Sequence, residues 1–131
     1  VDRLAKKWAT AKELVPQPHF YQEANRSKDG VIFFGTSIFS AEEAIEMLNE
    51  EGIHLDAMRP RAFPFSKSFR QFVAAHHRIY VIEQNRDAQF RSLMMIELGV
   101  DASRLVSVLN YDGTPVTADY IYRKIKENLN R

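Results

Sequence analysis

The residues best suited to chemistry in this chain sit in three short segments, each following an apolar run. The densest is Glu83-Gln84-Asn85-Arg86-Asp87-Ala88-Gln89, in which every residue but Ala88 is polar. A helix start needs only one Asn or Asp to accept a first-turn amide. A carboxylate with Gln, Asn and Arg beside it can hold a backbone turn, a partner chain or a polar ligand, or satisfy itself as a local network. The second segment is Gly35-Thr36-Ser37. Its amides and hydroxyls suit an anion at a helix start, and the same residues suit a plain tight turn. It is neither Gly-x-Gly-x-x-Gly nor a phosphate loop with Gly-Lys-Ser/Thr. The third is Arg59-Pro60-Arg61-Ala62-Phe63-Pro64-Phe65. Arginine and aromatic residues between prolines fit a rigid docking edge. They fit equally a core cap with solvated arginines.

Other chemistries are excluded or weak. There is no cysteine, so disulfides, thiolate zinc sites and cysteine-ligated iron–sulfur clusters are absent from this chain. His19, His54, His76 and His77 lack the spacing of a metal motif. His76-His77 closes a helix, where the dipole favours a cation. No Gly-x-Ser-x-Gly elbow occurs. Thr36 and Ser37 stand where a phosphoreceiver would carry acids. Glu42, Glu43, Glu46, Glu50 and Glu51 form the wet face and first turn of one helix. Eighteen Lys and Arg against 17 Asp and Glu give a net charge of +1, which argues against a general nucleic-acid binder. No apolar run approaches the roughly 20 residues a membrane helix needs. Lys6, Lys7 and Lys12 interrupt any signal-peptide core.

The elements that must position these segments alternate. Leu4, Trp8, Ala11 and Val15 recur at helical spacing, so a helix is expected over 3–14, ended by Pro16 and Pro18. Residues 16–29 read as an extended polar connector. Strands are expected at 31–34, 53–59, 78–83 and 105–109. Helices follow each: one capped by a Ser40/Glu43 box and stopped by Gly52, one capped by Ser66 or Ser68, one carrying Phe90, Leu93, Met94 and Leu98, and one capped by Thr117. Strand–helix alternation predicts an α/β fold, three-layer α/β/α with a mainly parallel sheet. An extra strand can lie within 16–29 or 110–116. The organisation expected is an N-terminal helix and connector over 1–29, then one α/β domain over 30–131. Val1 stands inside a helix, so the chain is expected to be part of a longer polypeptide.

At these same loops the sequence resembles the C-terminal domain of the alpha subunit of 2-oxoacid:ferredoxin oxidoreductases, most nearly the 2-oxoglutarate type. The matching pieces run in order: Gly35-Thr36-Ser37, Glu43-Ala44-Ile45, Leu48-Asn49-Glu50-Glu51-Gly52-Ile53, Ala62-Phe63-Pro64-Phe65, Tyr80-Val81-Ile82-Glu83-Gln84-Asn85-Arg86-Asp87-Ala88-Gln89 and Tyr111-Asp112-Gly113-Thr114-Pro115. Leu4-Ala5-Lys6-Lys7-Trp8 and Val15-Pro16 resemble that family's lead-in. The resemblance implies a transketolase C-terminal-domain-like fold. It implies a cytoplasmic complex that uses thiamine diphosphate with Mg, oxidises a 2-oxoacid to acyl-coenzyme A, and passes electrons through an iron–sulfur cluster to ferredoxin. No thiamine-binding Gly-Asp-Gly segment or cluster ligand is present, so those cofactors are expected on other domains of the alpha subunit or on the beta subunit. No catalytic, cofactor-binding or metal residue is assigned here. Gly35, Thr36, Ser37, Arg59, Phe65, Glu83, Gln84, Asn85, Arg86, Asp87 and Gln89 are the residues expected to face sister domains, with neither nucleic acid nor membrane as a partner. The isolated domain is expected to be inactive. The rival readings are a stand-alone nucleotide- or anion-binding α/β domain, and the C-terminal domain of another thiamine-dependent enzyme.

Overall fold

A computed structural model describes residues 16–21 and 27–129; the helix expected over 3–14 lies outside them. Among the described residues five strands form one sheet: β1 His19–Phe20, β2 Asp29–Ile32, β3 Asp56–Arg59, β4 Arg78–Glu83 and β5 Leu105–Leu109. Their spatial order is β1-β3-β2-β4-β5. The four later strands run parallel, with Val31 opposite both Ala57 and Tyr80, and Val81 opposite Ser107. Only β1, drawn from the connector, is antiparallel. Four helices follow the parallel strands: α1 Ile38–Glu50, α2 Lys67–Ala75, α3 Gln89–Leu98 and α4 Ala118–Leu129.

Side chains alternate across a strand, and here both faces are covered. Val31, Tyr80, Ile82 and Val108 point into one core, with Ala41, Ala44, Ile45 and Leu48 of α1 and Ile121 and Ile125 of α4. Ile32, Ile79, Val81 and Leu105 point into the other, with Phe69, Phe72 and Val73 of α2 and Met94 of α3. This is the three-layer α/β/α fold that strand–helix alternation predicts. Parallel strands buried on both faces read as continuous apolar runs, which explains Ile79-Tyr80-Val81-Ile82. Among the described residues no helix is long and apolar enough to cross a membrane.

Several boundaries differ from expectation. β2 begins at Asp29 and ends at Ile32. Gly30 lies inside it because a Cβ there would stand 3.0 Å from the Phe72 ring. β3 is shorter than the run 53–59. Ser40 is not a cap. A 3-10 turn over Gly35–Ser37 leads straight into α1, so Ser40 sits within the helix and donates to the Val116 carbonyl at 2.8 Å. Ser66, not Ser68, caps α2 by accepting from the Phe69 amide, and Thr117 accepts from the Tyr120 amide.

His76 does more than close a helix. It is 6% exposed, with Nδ1 2.6 Å from the Phe72 carbonyl and Nε2 2.7 Å from Asp56 Oδ2. Each ring nitrogen thus faces an acceptor. Asp56 also accepts from the Ser27 amide at 3.2 Å. One carboxylate thus joins α2, β3 and the entry to β2. Asp56→Ala should lower unfolding free energy by about 1–3 kcal/mol, because a buried donor is orphaned; an unchanged urea midpoint would contradict this.

Tyr21 fastens the chain after β1. Its hydroxyl donates to Glu42 of α1 at 2.7 Å and its ring lies 5.3 Å from Phe33. Burial and the bond to Glu42 push its ionisation from 10.0 up to about 12. A proton held more tightly in the folded state stabilises below the unfolded value and loses that contribution as pH rises through the folded one. Stability should therefore fall between pH 10 and about 12, and Tyr21→Phe should remove that share of the fall, as read from thermal unfolding across alkaline pH.

Candidate functional site

The carboxyl ends of the parallel strands are where the three singled-out segments meet. α1 leaves β2 toward one face and α3 leaves the adjacent β4 toward the other. Helices that depart to opposite faces open a crevice at the strand ends, the usual ligand position in such sheets.

Glu83 anchors the crevice from below. It ends β4 and is 1% exposed. Its Oε1 accepts from the Phe90 amide at 2.7 Å and from Asn85 Nδ2 at 2.9 Å. Its Oε2 accepts from the Arg91 amide at 3.1 Å. These amides belong to the first turn of α3, where a carboxylate also meets the favourable end of the helix dipole. Ala88, the residue before α3, sits at φ 50° and offers no side-chain cap. Asn85 Oδ1 accepts from the Gln89 amide. Glu83 and Asn85 therefore do together what one cap residue normally does, and the loop network is largely self-satisfied. Glu83 is spent on positioning, and its ability to act toward a partner is indirect.

The exposed part of the loop is Gln84, Arg86, Asp87 and Gln89. Gln84 Nε2 donates to Thr36 Oγ1, tying the loop after β4 to the turn after β2. Arg86 and Asp87 pair at 3.2 Å in the open, a contact worth little. Within Gly35-Thr36-Ser37 only Gly35 and Thr36 are exposed. Ser37 is buried and donates to the Phe34 carbonyl at 2.7 Å, so its hydroxyl is not available to an anion.

The third segment divides. Phe65 is 2% exposed and stacked on Phe69 at 4.1 Å. It is a core residue, and as a docking residue that expectation is corrected: an aromatic ring at the end of the sheet is needed to close the core around Phe69 and Phe90. Phe63 is the exposed ring of the pair. Arg59 is half-buried beside the Tyr21 hydroxyl.

Two clefts flank the Glu83–Gln89 loop. One, of about 410 Å³, is lined by Thr36, Gln84, Asn110, Tyr111, Thr114 and Pro115 among others, with no Lys or Arg. The other, about 230 Å³, is lined by Phe34, Phe90 and Leu93 with Glu83, Asn85 and Gln89. In the segments that follow β2, β3 and β5 stand three exposed aromatic side chains: Phe39 at 83%, Tyr111 at 61% and Phe63 at 46% exposure. Phe39 escaped the sequence reading. Its signal was present, since it falls off the Ala41-Ala44-Ile45-Leu48 face of α1. Among the described residues no three His, Cys, Asp or Glu side chains gather as a metal site.

No protein-family model and no curated protein matches the chain. Solved structures do. One is a 2-oxoglutarate:ferredoxin oxidoreductase from Magnetococcus marinus with 2-oxoglutarate, coenzyme A and succinyl-CoA bound: TM-score 0.80, 22% identity, covering 97% of this chain and 22% of that one. Another is the alpha chain of a probable 2-oxoacid ferredoxin oxidoreductase from Thermoplasma acidophilum: TM-score 0.59, 25% identity, covering 88% of this chain and 98% of that one. The chain shares its fold with 2-oxoacid:ferredoxin oxidoreductase structures. This agrees with the resemblance carried by the loop residues. The chain spans about a fifth of the length of the Magnetococcus chain.

Glu83→Ala should destabilise the fold by about 1–3 kcal/mol, since two first-turn amides lose their acceptor in a buried setting. Amide exchange at Phe90 and Arg91 should accelerate selectively, and Glu83→Gln should recover part of the protection. Uniform exchange in Glu83→Ala would refute the positioning role.

Proposed function

We propose that this chain is an interface-forming, non-catalytic domain of a 2-oxoacid:ferredoxin oxidoreductase alpha subunit, of the type that acts on 2-oxoglutarate. The observation that carries the reading is the set of exposed aromatics in the segments that follow β2, β3 and β5 at the carboxyl end of the sheet, Phe39, Phe63 and Tyr111. Exposed aromatics are enriched at protein interfaces, where rigid, large side chains supply hot spots. The fold shared with 2-oxoacid:ferredoxin oxidoreductase structures supports an assembly in which such a face would be covered. In this reading the partners are the other domains of the alpha subunit and the beta subunit, with coenzyme A and ferredoxin serving the complex. The location, cytoplasmic, follows from the resemblance alone.

Thiamine diphosphate with its magnesium ion, and an iron–sulfur cluster, are assigned to the other parts of that assembly. The donor set of this chain does not fit them. Among the described residues the one buried carboxylate, Glu83, is occupied by the Phe90 and Arg91 amides and by Asn85, and the chain has no cysteine. The contribution open to this domain is shape: a rigid wall that excludes water and sets the position of a neighbour. A nucleotide- or anion-binding module finds little support, because the cleft beside Thr36 has no cationic lining residue and Ser37 is turned inward.

Phe39→Ala and Tyr111→Ala should leave the unfolding midpoint of this chain unchanged. In the whole enzyme each should weaken subunit association by about 2 kcal/mol, roughly thirtyfold, if it is a hot spot. Analytical ultracentrifugation and coenzyme A-dependent reduction of ferredoxin by 2-oxoglutarate check this; full assembly and turnover in both variants would overturn the reading.

A further inference from the structure

The outward face of α1 carries an aromatic ring and a row of acids. Phe39, Glu43, Glu46 and Glu50 are all exposed. They stand at steps of four, three and four residues, which is one stripe of a helix. The stripe lies opposite the Ala41, Ala44, Ile45 and Leu48 face that packs into the core. Such a row is unfavourable within the chain. Glutamates three and four residues apart repel each other, and Glu50 ends the helix where the dipole favours a cation. α1 has no Lys, Arg or His to offset them, in its last turn or elsewhere. Among the described residues none of these glutamates enters an ion pair. α4 meets the same problem internally: Arg123 pairs with Asp119 at 2.9 Å, Lys124 with Glu127 at 3.8 Å, and Lys126 with Glu51 at 2.9 Å. Glu42, beside the stripe, is engaged by the Tyr21 hydroxyl at 2.7 Å.

We propose that this face of α1 docks a cationic protein surface in the assembled enzyme, with Lys or Arg side chains opposite Glu43, Glu46 and Glu50 and an apolar hollow receiving Phe39. The proposal rests on the interface reading above and deepens it by fixing the sign of the partner's charge. Water alone would suffice for the glutamates, but not for Phe39, 83% exposed in the same row. An aromatic anchor with charged residues beside it has the composition of an interface centre and its rim. The spread of the acids selects the class of occupant. They follow Phe39 along about 16 Å of helix, at about 1.5 Å per residue. The row lines neither cleft described above, so a small cation has nothing to enclose it. Among the described residues no three acids gather as a metal site. Nucleic acid and anionic lipid carry the same sign of charge as the row. A line of cations on a neighbouring protein matches it in length and sign, and complementary charge fixes register and partner choice.

The test is photocrosslinking in the whole enzyme. A benzophenone amino acid replaces Phe39, whose exposure preserves folding, by itself and together with Glu46→Lys or Glu46→Gln. The expected result is capture of another domain or subunit through a peptide that contains Lys or Arg. Glu46→Lys should cut the yield about tenfold, because like charges then face each other, and Glu46→Gln should cut it less. Neither change should lower the urea midpoint of this chain, since both relieve repulsion from Glu42, Glu43 and Glu50 one turn away. If Glu46→Lys does lower it, the yield with Glu46→Gln decides. A captured peptide without Lys or Arg, or a yield that both substitutions leave unchanged, overturns the cationic partner and leaves the interface reading standing. No capture at all overturns both.

Discussion

The end face of this protein depends on one buried carboxylate. Glu83 lies at the last position of β4, 1% exposed, and takes the first-turn amides of α3 together with the Asn85 side chain. A charge so placed is tolerable because it is fully hydrogen-bonded and sits at a helix N-terminus. It allows the chain to turn sharply through Ala88 in the left-handed region without a conventional cap. The loop above it is thereby pinned at both ends, and its side chains sort to opposite sides. Gln84 reaches Thr36 and helps line the polar cleft, while Asn85 and Gln89 line the aromatic one.

The same pin has consequences for packing. With α3 started where Glu83 holds it, Phe90 meets Phe34, Phe65 and Phe69 at ring distances of 4.8, 5.7 and 6.2 Å. Met94 is then carried into the core one turn later. At the opposite end of the sheet Asp56 does comparable work between His76 and the Ser27 amide. In each case a carboxylate is used to hold main chain and helix ends rather than to do acid–base chemistry. That division fits the non-catalytic role proposed above.

Much of this was legible residue by residue. Strands β4 and β5 agree with the expected boundaries because their apolar runs are bounded by polar turns. Ser66 and Thr117 cap as their types suggest. The failures are instructive. Ser-x-x-Glu at Ser40 has the form of a capping box, yet the 3-10 turn before it moves the helix start to Ile38 and frees Ser40 to bond Val116, 76 residues away. Phe63 and Phe65 look equivalent in a proline-framed segment, and the fold buries one and bares the other. His76 reads as an ordinary helix-end histidine until β3 places Asp56 against it.

The sequence by itself determined the class of fold, the parallel character of the sheet, and the three segments that gather at its carboxyl end. Those properties follow from periodicity, turn residues and local caps, which act over a few residues. Tertiary structure decided strand order, the pairing of Glu83 with the start of α3, and which side chains were left bare. Phe39, Tyr111 and Phe63 became a surface only when helices leaving adjacent strands to opposite faces brought their loops to one end. Burial is a property of the whole packed chain, and no local pattern carries it.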